Sequence, residues 1–241
     1  MAAVIGWHEL YTSDVDAATS FYAELLGAEI ERAQMTELEY PMLKKDGRTH
    51  AGFFFKDAEH EQVPSHWYPY FEVDDVDAAV EQAKSLGSDV FHGPATVEEA
   101  GIRLAVLGDP QHATFGVLTS PNPAPSGLFV WDELHAADVE AAKRYYSELL
   151  GWTTESFMDG YDVFKAGETL AGGLMPKSED LPVAAWLSYI AVDDTDAATT
   201  KARELGATLL MEPTTMENVG RFSVLADPTG AAFGLHHSTS R

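Results

Sequence analysis

Apolar positions at helical spacing are the first regularity in the chain. Val15, Ala18, Phe21, Tyr22, Leu25 and Leu26 fall on one face of a helix, inside the stretch "WHELYTSDVDAATSFYAELLGA" at 7–28. A near copy, "WDELHAADVEAAKRYYSELLGW", stands at 131–152. In both, a strand opening with tryptophan runs through an aspartate into a helix that stops at glycine. Helices are predicted to begin near Asp14, Asp75, Asp138 and Asp194, where an acidic first turn suits the helix dipole. They are predicted to end at Gly27, Gly87, Gly151 and Gly206, the residue type best suited to a left-handed C-terminal position. Strands are legible in "HAGFFFK" (50–56), "IRLAVLGD" (102–109) and "RFSVLADP" (221–228). The layout is βαβββ, four times over, and the Phe21–Tyr22 and Tyr145–Tyr146 pairs are predicted to be core.

Further matches make this an internal duplication. "YFEVDDVDAAVEQAKSLGSDV" (70–90) aligns with "YIAVDDTDAATTKARELGATL" (189–209), and "GDPQHATFGVL" (108–118) with "ADPTGAAFGLH" (226–236). Prolines in "TSPNPAPSG" (119–127) forbid a continuing helix and favour an extended linker. The expected division is a first domain at 1–121 and a second at 127–241.

Composition narrows the class. With 241 residues, 45% hydrophobic and 11% aromatic, the chain can bury a core in each half. No apolar run approaches the roughly 20 residues of a membrane helix, and the N-terminus lacks the pattern of a secretory signal. A cytoplasmic protein without membrane contact is expected. Zero cysteines exclude disulfides, thiolate nucleophiles and cysteine metal sites. A net charge of −24 repels phosphate backbones, so nucleic acid is not an expected partner. There is no phosphate-binding glycine loop and no serine in a nucleophile elbow.

The quartered βαβββ plan, "SDVDAATSFYAELLG" and the closing "DP…FG" segments resemble the vicinal oxygen chelate superfamily of glyoxalase I, bleomycin- and fosfomycin-resistance proteins and extradiol dioxygenases. "FVWDEL" opening the second half is similar to a two-domain actinobacterial branch, glyoxalase-like or hydroxylase-like. The resemblance implies an α+β fold of paired βαβββ modules with cupped mixed sheets. It also implies a divalent metal bound by one residue from the first and one from the last strand of each module. First-strand positions then fall on Trp7, Trp131, Tyr68 and Leu187. Last-strand positions fall on Gly116, Gly234 and within "GFFF" (52–55) and "GGLM" (172–175). None is a usual ligand, so no cofactor is expected.

Trp7 and Trp131 can offer a flat apolar platform for a ligand or fill the space of a lost metal. Strand alternation places Trp7, Glu9 and Tyr11 on one face, and Trp131, Glu133 and His135 on the matching one. Glu9 and Glu133 are the candidate acid–base residues; Trp7, Tyr11, Tyr68, Trp131 and His135 are candidate ligand contacts. His236, with Glu133 and His135, gives an alternative two-histidine, one-carboxylate metal set. His8, His50, His66, His92 and His112 read as surface imidazoles, and Tyr68 and Tyr70 around Pro69 as an edge strand or rim. The favoured function is binding or sequestering a small flat molecule, by a monomer or homodimer, without the usual metal. The alternatives are a metal-dependent lyase, isomerase or dioxygenase with displaced ligands, and a metal-free acid–base catalyst.

Overall fold

The computed structural model describes residues 4–35, 38–57, 60, 62–121 and 127–238, so 122–126 of the expected linker lie outside the described residues. The first module is β1 (Ile5–Thr12), α1 (Val15–Leu26), β2 (Glu29–Met35), β3 (Leu38–Lys45) and β4 (Arg48–Phe55). The second is β5 (His66–Glu72), α2 (Val76–Ser85), β6 (Asp89–Val97), β7 (Ile102–Gly108) and β8 (Thr114–Thr119). The third is β9 (Phe129–Ala136), α3 (Val139–Leu150), β10 (Thr153–Met158), β11 (Tyr161–Ala166) and β12 (Thr169–Pro176). The fourth is β13 (Ala185–Ala191), α4 (Thr195–Glu204), β14 (Thr208–Met216), β15 (Gly220–Ala226) and β16 (Ala232–His237). The fourfold βαβββ reading holds.

Helix boundaries follow the predicted chemistry. Asp14, Asp75, Asp138 and Asp194 each accept the backbone N–H three residues on, tying down an otherwise unpaired donor of the first turn. Helices α1 and α3 stop at Gly27 and Gly151, whose φ of 61° and 69° is the left-handed conformation a side chain would resist.

Modules one and two form a sheet ordered β2-β3-β4-β1-β5-β8-β7-β6, and modules three and four repeat it as β10-β11-β12-β9-β13-β16-β15-β14. In each module the first strand runs parallel to the last, and the other ladders are antiparallel, which makes both sheets mixed.

Contacts group the chain into two compact units, each drawing on both halves: 1–7, 68–125 and 131–187 in one, 8–67, 126–130 and 188–241 in the other. The first buries Phe71, Phe115, Tyr146, Trp152, Phe164 and Trp186 together. Within it, Trp186 Nε1 donates to the Tyr146 hydroxyl at 3.1 Å, and that hydroxyl donates to Asp109 at 3.1 Å. Asp109 also accepts the backbone N–H groups of Gln111 (2.8 Å) and Ala113 (2.9 Å).

The second unit has the same device. Trp67 Nε1 donates to Tyr22 at 2.7 Å, and Tyr22 to Asp227 at 3.0 Å; Asp227 also accepts the N–H groups of Thr229 and Ala231 at 2.7 and 3.1 Å. Burial raises the carboxyl pKa of both aspartates. The repeated "DP" aspartates, the second residue of each aromatic pair (Tyr22 and Tyr146) and the tryptophans of "HWYPY" and "AWLSY" are thus one polar relay through each core. It pairs the indole, the phenol and the carboxylate that the aromatic packing buries together.

Four expectations need correction. β5 is an interior strand rather than an edge, and Pro69 is tolerated because the ladder to β8 begins at Tyr70. His8 is buried, its ring stacked on Phe129 at a centroid distance of 3.9 Å, and His50 is buried with Nε2 donating to the Lys45 carbonyl at 3.1 Å. His66 is likewise drawn in, and burial lowers its pKa. His92 and His112 are exposed, as expected.

Candidate functional site

Alternation along β9 sends Leu134 into the core and turns Trp131, Glu133 and His135 to the opposite face. There they meet Tyr161, the first residue of β11. Trp131 Nε1 donates to the Tyr161 hydroxyl at 2.9 Å, and His135 Nε2 lies 2.9 Å from Glu133 Oε1. Burial, and then the Glu133 carboxylate that the phenol adjoins and hydrogen-bonds, hold the Tyr161 pKa far above its usual value. The phenol is therefore a permanent donor. Phe157, exposed on β10, sets its ring edge-on to Tyr161 at 6.3 Å and widens the aromatic surface. Glu133 keeps 10% of its side chain open and His135 18%.

The N-terminal copy of this face shares its carboxylate and phenol. Tyr40 donates to Glu9 Oε2 at 2.6 Å, and both residues are buried. Where the C-terminal copy has His135, it has Tyr11, with Phe54, His60 and His66 around its ring at centroid distances of 6.4, 6.4 and 5.9 Å. Burial, then nearby Asp57, raises the Tyr11 pKa. Trp7 is half-buried. Tyr68, a predicted ligand contact, is 4% exposed, with its hydroxyl 3.5 Å from that of Tyr70. It offers little open surface. Phe53 and Trp67 belong to the core of their unit, not to an open face.

Glycines and tyrosines decide what the four last strands can hold. Gly52, Gly116, Gly173 and Gly234 are the partners of Glu9, Tyr70, Glu133 and Tyr189 across the parallel ladders. A Cβ at any of them would overlap a tyrosine: the hydroxyl of Tyr40 or Tyr161 at Gly52 and Gly173, the ring of Tyr70 or Tyr189 at Gly116 and Gly234. Tyrosine thus fills the room that a ligand side chain would need. The residues do not fit the divalent ion that the resemblance implies. Among the described residues, no group of three His, Asp or Glu side chains could hold a metal ion. The set Glu133, His135 and His236 is therefore not assembled: Glu133 and His135 bond each other, and His236 Nε2 donates to the Val219 carbonyl at 3.1 Å.

Sequence reasoning missed Tyr40, Tyr161 and Phe157. A signal for the tyrosines was present, since each stands twelve residues before its glycine, Gly52 or Gly173.

The family model "Glyoxalase/Bleomycin resistance protein/Dioxygenase superfamily" matches the chain twice, at residues 4–117 and 130–235. "Putative glyoxylase CFP32" of Mycobacterium bovis is 32% identical over 95% of this chain and 92% of that protein. "Anthracycline biosynthesis protein DauV" of Streptomyces sp. (strain C5) is 31% identical over 95% of this chain and 91% of that protein. Among solved structures, the Mn(II)-bound glyoxalase from Novosphingobium aromaticivorans superposes with a TM-score of 0.69 at 16% identity, over 100% of this chain and 84% of that one. At that identity the likeness concerns the fold alone. Among the described residues, no helix is long and apolar enough to cross a membrane. The chain belongs to the glyoxalase/bleomycin resistance protein/dioxygenase superfamily.

Proposed function

We propose that the face built by Trp131, Glu133, His135 and Tyr161 binds a small, flat organic molecule without the divalent ion implied by the resemblance. The observation that carries this reading is the bonded chain itself: indole to phenol, phenol and imidazole to one carboxylate. Its polar groups are already oriented, while the Trp131 and Phe157 rings supply apolar area for stacking. The relative named for anthracycline biosynthesis agrees with a fused-ring ligand, since an anthracycline has a flat polycyclic body. In this reading the partner is a small molecule rather than nucleic acid or a membrane, the charge of −24 arguing against phosphate-rich partners. The working form is a monomer or homodimer.

A second reading has its own support. Glu133 and His135, 2.9 Å apart, are a hydrogen-bonded carboxylate–imidazole pair, so metal-free acid–base chemistry on the bound molecule suits the same site.

The test combines metal analysis with ligand titration. Protein purified without chelators should carry substoichiometric metal, and flat aromatic compounds should quench tryptophan fluorescence in the parent and much less in Trp131→Leu. Glu133→Gln should weaken binding by a few-fold, because the carboxylate that orients His135 and Tyr161 is lost, and Glu9→Gln should leave it unchanged. A stoichiometric metal, or quenching that survives Trp131→Leu, refutes the binding reading.

A further inference from the structure

The hydrogen-bond chain around Glu133 fixes more than the position of its members. Trp131 Nε1 can only donate, so the Tyr161 oxygen accepts from it and must turn its own hydrogen elsewhere, and the adjoining acceptor is Glu133. A carboxylate accepts only. The contact at 2.9 Å between His135 Nε2 and Glu133 Oε1 therefore puts the imidazole hydrogen on Nε2. In the neutral ring that leaves Nδ1 as a bare lone pair, and Nδ1 makes no hydrogen bond among the described residues. The ring is partly open, with 18% of its side chain exposed, on the same face as Trp131.

We infer that His135 is a specificity-determining residue whose Nδ1 accepts a hydrogen bond from a hydroxyl on the ligand, so that the site selects uncharged hydroxylated aromatic molecules over their ethers. This rests on the binding reading proposed above and names its ligand class. Charge argues against an anionic form: Trp131, Tyr161 and Phe157 carry no positive charge, Glu133 is acidic, and the whole chain stands at −24. An anionic ligand would meet a carboxylate with no cation among these side chains to offset it. The aromatic body would lie on Trp131 and Phe157, and the hydroxyl would donate into the plane of the imidazole. Glu133 acts here through His135, holding the ring and its tautomer in place. The N-terminal copy lacks this acceptor, because Tyr11 occupies the corresponding position of β1.

The experiment is a cycle on two variables, read by calorimetric titration of the full chain. One variable is the probe, 2-naphthol against 2-methoxynaphthalene, which differ by the hydroxyl hydrogen and one methyl group. The other is the protein, parent against His135→Phe, with Glu133→Gln as a second variant that keeps the imidazole but loosens its orientation. The parent should prefer 2-naphthol by roughly five- to tenfold, the range of a single hydrogen bond in a partly buried site. In His135→Phe that preference should vanish while the ether binds as before; in Glu133→Gln it should shrink. Equal affinity for both probes in the parent, or a preference that survives His135→Phe, overturns the inference and leaves the binding reading standing. If neither probe binds while the protein remains folded by circular dichroism, the binding reading fails and the inference with it.

Discussion

The two copies of the open face start from the same parts and end in different states. In the N-terminal copy the Tyr40 hydroxyl bonds the Glu9 carboxylate at 2.6 Å, and Tyr11 follows two residues later among Phe54, His60 and His66. In the C-terminal copy Tyr161 and His135 share Glu133. One substitution at an equivalent strand position, tyrosine for histidine, separates an aromatic cluster from a hydrogen-bonded carboxylate–imidazole pair. The core relays behave in the opposite way. Trp67–Tyr22–Asp227 and Trp186–Tyr146–Asp109 match residue for residue. The difference follows from what each arrangement serves. A relay satisfies buried polar groups in a core made from both halves, so losing either copy would leave unpaired donors. An open face has no such constraint, and one copy can change while the other keeps its chemistry.

The sharpest way to break this comparison is to remove a relay tryptophan. Trp67→Ala and Trp186→Ala should each cost about 3–5 kcal/mol, from the cavity and the hydrogen bond that the tyrosine oxygen no longer accepts. Urea denaturation gives both values, and a large gap between them would end the claim that the relays are equivalent. Next come the aspartates. Asp109→Ala and Asp227→Ala should each cost about 2–3 kcal/mol, because two backbone N–H groups and a phenol lose their acceptor.

These aspartates also give a pH signature. Burial raises their folded pKa above the unfolded value, so in that interval the folded state holds more protons than the unfolded one. Stability should therefore fall as pH rises from about 4, the ordinary aspartate value, and level off once the raised folded value is passed. Asp109→Asn and Asp227→Asn should each flatten part of that slope, and a slope unchanged in both variants would assign it to other groups.

A smaller effect tests the tyrosine plugs. Gly116→Ala and Gly234→Ala place a methyl against the rings of Tyr70 and Tyr189, and each should cost about 1–3 kcal/mol as the ring is displaced. If Tyr70→Ala in the Gly116→Ala background restores nothing, the glycine is needed for another reason.

Much of the fold was legible because its signals are local. An aspartate cap, a glycine stop and six apolar residues at helical spacing all lie within one stretch of chain, and the duplication supplied each element twice. The shared face of Trp7, Glu9 and Tyr11, and that of Trp131, Glu133 and His135, was equally legible, since strand alternation needs only register. What escaped involves partners far apart in sequence. Tyr146 meets Asp109 from 37 residues away and Tyr22 meets Asp227 from 205, so no window on the chain joins them. His8 read as a surface residue because the Phe129 ring that covers it comes from the start of the other half. Tyr161 was passed over for a different reason: a lone tyrosine opening a short strand has many uses, and only the glycine opposite shows which one it has.

The smallest expected effect concerns a third matched pair, at the surface. Arg103 grips Asp77 through Nε and Nη2 at 2.5 and 2.6 Å and reaches Thr96 at 2.9 Å; Arg221 does the same with Asp196 and Thr215, at 2.5, 2.6 and 3.0 Å. The arginine holds each aspartate below its ordinary pKa, which on its face would favour the folded state above that range and lose the benefit as pH drops. Both forks are open to water, however, where screening and the entropy of two long side chains cancel most of the attraction. Arg103→Ala and Arg221→Ala should therefore leave the urea midpoint within the scatter of the parent, at low salt as at high. A clear loss at one arginine alone would show that its geometry supports more than an ion pair, and would extend the divergence between the halves from the open face to the surface of the helices.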